Sequence, residues 1–206
     1  MITENQKLWK IRLAMIAIAL LVALVVLVVR GRAEQDSRAH PAPGAKAQAM
    51  PPDTKAPVAK AGDVESIDAI IAALYDVISG PAGERDWARF RSLFTPEARL
   101  IPVRPPQNGS AATYRVLSVE DYVNRAGGSF KQNGFFEKEV ARKQEQFGHI
   151  AQAFTTYESR HAKGEKPFAR GINSVSLFND GQRWWIVQIM WDAEGAGQAI
   201  PEKYLH

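Results

Sequence analysis

The amino-acid sequence predicts an α+β fold, with about three helices packed on an antiparallel sheet and one transmembrane helix ahead of them. Three observations lead to this class. Residues 13–29 are continuously apolar, apolar residues recur at helical spacing over 64–78, and the last third of the chain alternates with a period of two. Helices followed by a run of strands are typical of α+β proteins, in which the helices cover one face of the sheet.

The apolar segment 13–29 follows a short N-terminal tail, residues 1–12, and contains no charged residue. As a helix it is about 25 Å long, slightly short of the ~30 Å hydrocarbon layer, and flanking cationic side chains can snorkel across the difference. A cleaved signal peptide is the alternative, but its passable cleavage triplet, 31–33, lies next to two arginines. The sequence therefore favours an uncleaved signal-anchor.

Residues 30–62 are rich in Ala and Pro and lack a hydrophobic period, which is typical of a disordered linker. A short tail ahead of a first transmembrane helix usually stays in the cytoplasm. The sequence therefore predicts a single-pass protein of the inner (cytoplasmic) membrane, with a domain at 63–206 in the periplasm or otherwise outside the cytoplasm.

The net charge of +4 does not indicate a nucleic-acid-binding protein. Of 26 Lys and Arg and 22 Asp and Glu, nine and four lie in residues 1–62, so seventeen and eighteen remain in 63–206. A nucleic-acid surface requires clustered Lys and Arg, which this nearly neutral domain lacks. The chain has no cysteine, which excludes disulfides and thiolate-based metal sites.

Capping and turn residues set the expected element boundaries. Asp63 can cap a first helix that Gly80 ends, and a second short helix over 84–94 precedes a strand over 98–103. A sequence resembling a capping box at Ser118 opens a third helix, which a pair of glycines at 127 and 128 ends. Four extended runs follow, joined by turn residues, at approximately 134–146, 147–161, 168–179 and 183–193.

A family resemblance rests on several segments in this order. These are "AIIAALYDVISG", "WARFRSLFTPEARLI", "SVEDYVNRAG", "FGHIAQAFTTYESR", "FARGINSVSLFND", "RWWIVQIMWDAE" and the closing "IPEKYL". Over about residues 63–205 the chain resembles the nuclear transport factor 2-like (NTF2-like) superfamily, and its SnoaL-like bacterial branch in particular. The resemblance implies a cone, in which a strongly bent sheet wraps around helices, with a pocket at the open end and frequent dimerisation through the outer sheet face. This fold carries many functions.

Enzymes of this superfamily place a carboxylate or His inside the cone, but no motif here aligns with their sites residue by residue. Strand alternation supplies the candidate bases instead. His149 shares a strand face with Tyr157 and small residues, which suits a pocket wall, and Asp192 ends the aromatic strand. The alternatives are a hydrogen-bonded strand histidine and a solvated strand-end acid.

Candidate ligand-binding residues lie on the predicted strands. Arg170 and Asn173 differ in parity, so both face one side only if a bulge intervenes at Gly171. The alternative for Arg170 is a cross-strand ion pair with Glu158 or Asp192. The candidates are Tyr157, Arg170, Asn173 and Trp191.

The aromatic strand 183–193 is apolar on both faces, which predicts that it serves packing more than a pocket. Simple alternation puts Trp184, Ile186, Gln188, Met190 and Asp192 on one face, and Trp185, Val187, Ile189 and Trp191 on the other.

Neither a metal nor a cofactor is expected. Glu158 and His161 lie three apart on a strand and hence on opposite faces, and nucleotide-binding and hydrolase motifs are missing. Without a convincing acid–base pair, the sequence favours a non-enzymatic domain that binds a small apolar ligand or a protein partner in the cell envelope and forms a homodimer through the sheet. The alternatives are an isomerase, dehydratase or cyclase acting on a small carbonyl compound, and a scaffold subunit of an envelope complex.

Overall fold

The structure is a computed structural model that describes residues 57–106, 109–195 and 197–206. All of them belong to one unit of the chain, Pro52–His206. The predicted membrane segment 13–29 and most of the predicted linker 30–62 lie outside the described residues. Among the described helices, none has the length and apolar character that a membrane span requires.

The described residues form a mixed α+β fold, as the sequence predicts. The helices are α1 (Ala61–Val64), α2 (Ile67–Ile78), α3 (Trp87–Ser92) and α4 (Val119–Gln132). The strands are β1 (Phe94–Arg104), β2 (Thr113–Tyr114), β3 (Phe136–Phe147), β4 (Ile150–Arg160), β5 (Ala169–Asn179) and β6 (Trp184–Ala193). A 3-10 turn, Glu202–Tyr204, follows near the C-terminus.

The strands form one curled sheet in the order β2-β1-β6-β5-β4-β3. The predicted hairpins β3 to β6 are antiparallel, but β1 pairs with β6 in parallel, so the expectation of a fully antiparallel sheet is wrong at this pair. The reason is the connection through α4, which carries the chain from β1 to the opposite edge. Three hairpins then bring β6 back in the direction of β1.

The start of one helix and the start of one strand differ from the predicted ones. Ser66, and not Asp63, caps α2, because its hydroxyl accepts the Ala69 amide at 3.0 Å while Asp63 lies in α1 and binds Arg89. The strand predicted to begin at residue 98 already begins at Phe94, directly after α3.

Helix α4 begins as predicted, with a capping box between Ser118 and Asp121. The predicted end at the glycine pair is wrong, because the helix continues to Gln132. The additional turn buries Phe130, whose ring stacks on Trp87, and this packing outweighs the low helix propensity of glycine.

A β-bulge at Val187 changes which residues of β6 face the helices. Val187 has no partner in the register with β5, although its neighbours do. Trp184 and Ile186 before the bulge are buried, as is Ile189 after it, and Trp191 packs against the same core. The predicted separation of Ile189 and Trp191 from Trp184 is therefore wrong, because the extra residue reverses the alternation.

The core lies between the helices and the sheet face that they cover, which we call the inner face. Helix α2 packs against β3 and β6, while α3 and α4 pack against β1. The largest buried side chains come from both layers and include Ile70, Ile71, Phe90, Phe94, Val175 and Ile186.

The opposite, outer face is covered only in part. The C-terminal segment, residues 197–206, crosses it, and the Tyr204 ring packs on Phe154 at 5.1 Å between centroids. Four directly opposed residues remain as a row at one end of the strands, with Phe147 at 85% and Ile150 at 62% exposure. We call this the outer apolar row: Phe147, Ile150, Phe178 and Trp185.

Candidate functional site

A cavity of about 230 Å³ opens between α2, α4 and the inner face of the sheet. This volume is slightly below the range of about 300–1,000 Å³ that is typical of pockets for drug-sized molecules, so it suits a small organic ligand. Six aromatic rings line it: Phe90, Tyr122, Phe135, Tyr157, Phe168 and Trp191. Its polar side chains are few, as is usual for a ligand pocket. Besides the two tyrosine hydroxyls they are Glu137, Ser159 and Asn173.

Glu137 is the acidic residue of this cavity. It lies opposite Ser159 in the β3–β4 ladder, so both side chains face inward, and the Ser159 hydroxyl donates to Glu137 Oε2 at 2.7 Å. Burial raises the pKa of Glu137 from 4.5 to about 7, although hydrogen bonding to Ser159 and Asn173 acts in the opposite direction. Within the described residues no Lys or Arg forms an ion pair with it.

Sequence reasoning missed Glu137. It stands in "FFEKEVARKQEQF", whose many charges are typical of a solvated strand, and a bulge at Val140 interrupts the alternation. The alternation of residues before the bulge does indicate the inward orientation of Glu137. Alternation places Glu137 on the same face as Phe135, and pairing with β4 sets it beside Ser159, two residues from Tyr157.

A buried hydrogen-bond network fixes the Asn173 amide. Its Nδ2 donates to the Tyr75 hydroxyl at 3.0 Å, and that hydroxyl lies 2.7 Å from Thr155 Oγ1. Burial, which is the largest effect, raises the pKa of Tyr75, so the phenol stays protonated at neutral pH. The network connects α2 to β4 and β5 and holds Asn173 at the cavity wall.

The hydroxyls of Tyr122 and Tyr157 complete the polar surface of the cavity. Burial raises the pKa of both, with the nearby Glu137 charge as a further cause, so both remain hydrogen-bond donors at neutral pH. The Tyr122 ring stacks on Phe90 at 5.3 Å and meets Trp191 edge to face at 6.3 Å. These contacts orient the ring from α4 toward β6.

The mouth of the cavity lies at Phe168, which lines it and is 51% exposed. The His161 ring stacks on Phe168 at 4.3 Å, and its Nδ1–H donates a hydrogen bond to the Gly134 carbonyl oxygen at 3.2 Å. His161 therefore supports the mouth from outside the cavity.

Three of the sequence-predicted candidates meet at the cavity. Tyr157, Asn173 and Trp191 all line it, although they come from three different strands. Asn173 and Trp191 are directly opposed in the β5–β6 ladder, which places both on the inner face. The bulge at Val187 brings Trp191 to this face.

Both predicted bases lie away from the cavity. His149 occupies the exposed turn between β3 and β4, with Nδ1 3.0 Å from the Asn179 carbonyl oxygen. Asp192 lines a groove between the outer face and the C-terminal segment, where it accepts a hydrogen bond from Gln198 at 2.7 Å. Neither side chain belongs to the set of residues that lines the cavity.

Arg170 also lies outside the cavity. Its guanidinium is 3.7 Å from Glu158, its cross-strand partner, and 3.4 Å from Glu194. In the described part of the chain its buried Nε has no hydrogen-bond partner. The ion pair with Glu158 matches the alternative expected from the sequence, and Glu194 takes the place expected for Asp192.

No protein-family model and no curated protein matches the chain. Among solved structures it is similar to a protein of unknown function with a cystatin-like fold from Nostoc punctiforme, at 6% identity and a TM-score of 0.49, over 64% of this chain and 91% of that one. It is also similar to an NTF2-like protein of unknown function from Pseudomonas putida, at 11% identity and a TM-score of 0.48, over 66% and 90%. A third, of unknown function, is from Mycobacterium tuberculosis, at 14% identity and a TM-score of 0.49, over 66% and 80%.

Proposed function

We propose that residues 63–206 form an NTF2-like domain that binds a small, largely apolar molecule in the inner cavity, with Glu137 recognising its polar group. The observation that carries this proposal is a carboxyl without an ion-pair partner among the described residues, set in a wall of aromatic rings. If the cavity served stability alone, the domain would be more stable with this space filled and with an apolar side chain in place of the half-buried acid.

Filling the cavity tests this function. In the full chain, purified in a non-ionic detergent, a panel of small apolar compounds is screened by thermal shift and by NMR. Ala169 lines the cavity, so we expect Ala169→Leu to abolish the binding of every compound that the native chain takes. Ala141→Leu on β3, outside the cavity lining, is the matched control and should retain binding. Binding that survives Ala169→Leu contradicts the proposal, as does a panel without a single ligand.

A second function, proton transfer on a small carbonyl compound, is favoured by the pKa of Glu137. A carboxyl with a pKa of about 7 is matched to general acid–base work at neutral pH. Glu137 would take a proton from the carbon next to the carbonyl, a hydroxyl of Tyr122 or Tyr157 would hydrogen-bond the enolate oxygen, and Glu137 would return the proton to carbon.

Deuterium exchange tests this chemistry. Small enolisable ketones that bind in the cavity are incubated with the full chain in D₂O and followed by NMR. We expect exchange next to the carbonyl that Glu137→Gln abolishes and Glu139→Gln retains, since Glu139 pairs with Arg142. If ketones bind in the cavity without exchanging deuterium, the proton-transfer function is contradicted and the ligand-binding function stands.

We also infer that the chain is a single-pass inner-membrane protein anchored by residues 13–29, with the domain outside the cytoplasm and paired with a second copy through the outer sheet face. The apolar run 13–29 with its cationic flanks supports the anchor. The outer apolar row supports the pairing, because contiguous exposed apolar side chains are typical of interaction surfaces.

A further inference from the structure

We propose that the cavity ligand is a small organic cation, an ammonium compound whose charge is held by the Glu137 carboxylate and by the faces of the surrounding aromatic rings. This inference rests on the ligand-binding function proposed above and names the class of ligand. It follows from the charge of the cavity, from its aromatic lining and from the arginine partners that most of the other half-buried carboxylates have and Glu137 lacks.

Among the described residues five other carboxylates are half-buried; four of them have an arginine partner, whereas Asp192 accepts a hydrogen bond from Gln198. Asp63 binds Arg89 at 2.7 Å, and Glu139, two residues after Glu137 on β3, binds Arg142 at 2.6 Å. Glu158 on β4 binds Arg160. Glu137 has only uncharged hydrogen-bond partners among the described residues, Ser159 and Asn173. An ionised carboxylate in an apolar cavity is costly without a cation, so a bound ammonium group supplies the interaction that the chain itself omits.

The wall of the cavity suits a cation as well. Ammonium groups are attracted to aromatic faces, and quaternary ammonium ligands in particular are recognised by cages of several rings. Four cation–π contacts are formed within the described residues, to Phe130, Phe136, Trp185 and Tyr204, and none of these rings lines the cavity. The six cavity rings are therefore not used by the protein's own cations in the described part of the chain.

An anionic ligand does not fit, because the cavity lining contains a carboxyl and no Lys or Arg. A neutral ligand fits with Glu137 in its protonated form. Cationic and neutral ligands can be distinguished by the pH dependence of their affinity, because a cation binds better to the ionised carboxyl and a neutral compound does not.

The charge of the cavity changes with pH through Glu137. Tyr75, Tyr122 and Tyr157 face it from α2, α4 and β4, and their raised pKa values keep them neutral. Glu139 on the same strand is paired with Arg142. Glu137 also lines a second groove, between α2 and the β3–β4 end of the sheet, whose other charged residues include Asp76, Lys138, Arg160, Lys163 and Glu165. Asp192 on β6 lies near Tyr157, and His161 stacks on Phe168 at the mouth.

Two probes of nearly equal shape test the inference. Choline carries a quaternary nitrogen where 3,3-dimethylbutan-1-ol carries a carbon. Their affinities for the full chain are measured by calorimetry at pH 6 and pH 8. At pH 8 we expect choline to bind more tightly than its isostere. We also expect choline to bind about tenfold more tightly at pH 8 than at pH 6, because Glu137, with a pKa of about 7, is mostly ionised at the higher pH. The isostere should lack this gain.

Two variants locate the effect. Glu137→Gln should remove both the preference for choline and its pH dependence, whereas Glu145→Gln, an exposed acid on the same strand, should retain both. The comparison of the two probes on the native chain stands even where a variant fails to fold. Equal affinity of the probes at pH 8 overturns the inference, and so does a pH dependence that persists in Glu137→Gln, which would point to His161 beside the mouth.

Failure of the inference and failure of the proposed function are distinct. If the isostere or other neutral compounds bind and choline does not, the proposed ligand-binding function stands and only the inference of a cationic ligand fails. Absence of any ligand in the panel, choline included, removes the proposed function and the inference with it.

Discussion

Ionisation of Glu137 opposes folding, because this half-buried side chain lines an aromatic cavity and has no ion-pair partner among the described residues. The folded-state pKa is about 7 against an ordinary value of 4.5, so the folded protein holds the proton more tightly than the unfolded chain. The stability gained from this proton is fully present below pH 4.5 and is lost as the pH rises through 7. A difference of this size corresponds to about 3 kcal/mol.

We therefore predict that Glu137→Gln, which mimics the protonated acid, is more stable than the native chain at pH 8 by up to about 3 kcal/mol. At pH 4.5 the two should differ little. Urea unfolding at both pH values measures the difference, with Glu145→Gln as the control for removing one acid from β3. An equal effect of Glu137→Gln at both pH values contradicts the assigned pKa.

At the scale of elements, the close approach of β4, β5 and β6 depends on Gly171. A Cβ at this position would overlap the Asp192 carbonyl oxygen and lie 2.5 Å from the Tyr157 hydroxyl. We predict that Gly171→Ala destabilises the domain by about 3 kcal/mol or more, because a strand and a cavity residue must both move.

The control for Gly171→Ala is Gly128→Ala in α4, where an added Cβ meets nothing within 4 Å. This substitution should raise stability by about 0.5–1 kcal/mol, as alanine does for glycine in a helix interior. Thermal unfolding of both variants checks the pair. A mild effect of Gly171→Ala would mean that β5 can shift away from β6 at low cost.

Sequence patterns predict these elements well where a local signal suffices. The capping box at Ser118 and the four runs that become β3 to β6 are visible in residue order, because caps and alternation act over a few residues. The parallel pairing of β1 with β6 joins distant segments and has no local signal.

The candidate site was only partly predictable because bulges reverse strand alternation. Simple parity finds Tyr157 and Asn173, but it places Trp191 opposite Trp184 because it does not include the extra residue at Val187. Glu137 was missed because it stands in a highly charged run that the bulge at Val140 interrupts. Its inward orientation depends on its partner Ser159 across the ladder, and its titration depends on rings contributed by several elements.

At the scale of the whole molecule, the outer apolar row predicts a homodimer. Phe147 and Ile150 project from the outer face at 85% and 62% exposure. We expect the double variant Phe147→Glu/Ile150→Glu to shift the full chain from dimer to monomer in analytical ultracentrifugation, because opposed carboxylates would face each other across the interface. Val116→Glu, at an exposed apolar position outside the row, should remain dimeric. A native chain that sediments as a monomer contradicts the pairing.

The last prediction concerns the attachment of the domain to the membrane. If residues 13–29 span the bilayer, Leu20→Arg together with Leu24→Arg places two charges near its centre at about 2.5–3.5 kcal/mol each. We expect the native chain to remain in the membrane fraction after an alkaline carbonate wash and the double variant to be released. Ala19→Leu together with Ala23→Leu, which keeps the segment apolar, should stay membrane-bound.

Mass spectrometry of the native chain distinguishes an anchor from a cleaved signal peptide, since recovery of a chain that begins after residue 33 would mean cleavage. Alkaline phosphatase fused to His206 should be active, because the enzyme folds only outside the cytoplasm, and an inactive fusion would reverse the proposed orientation.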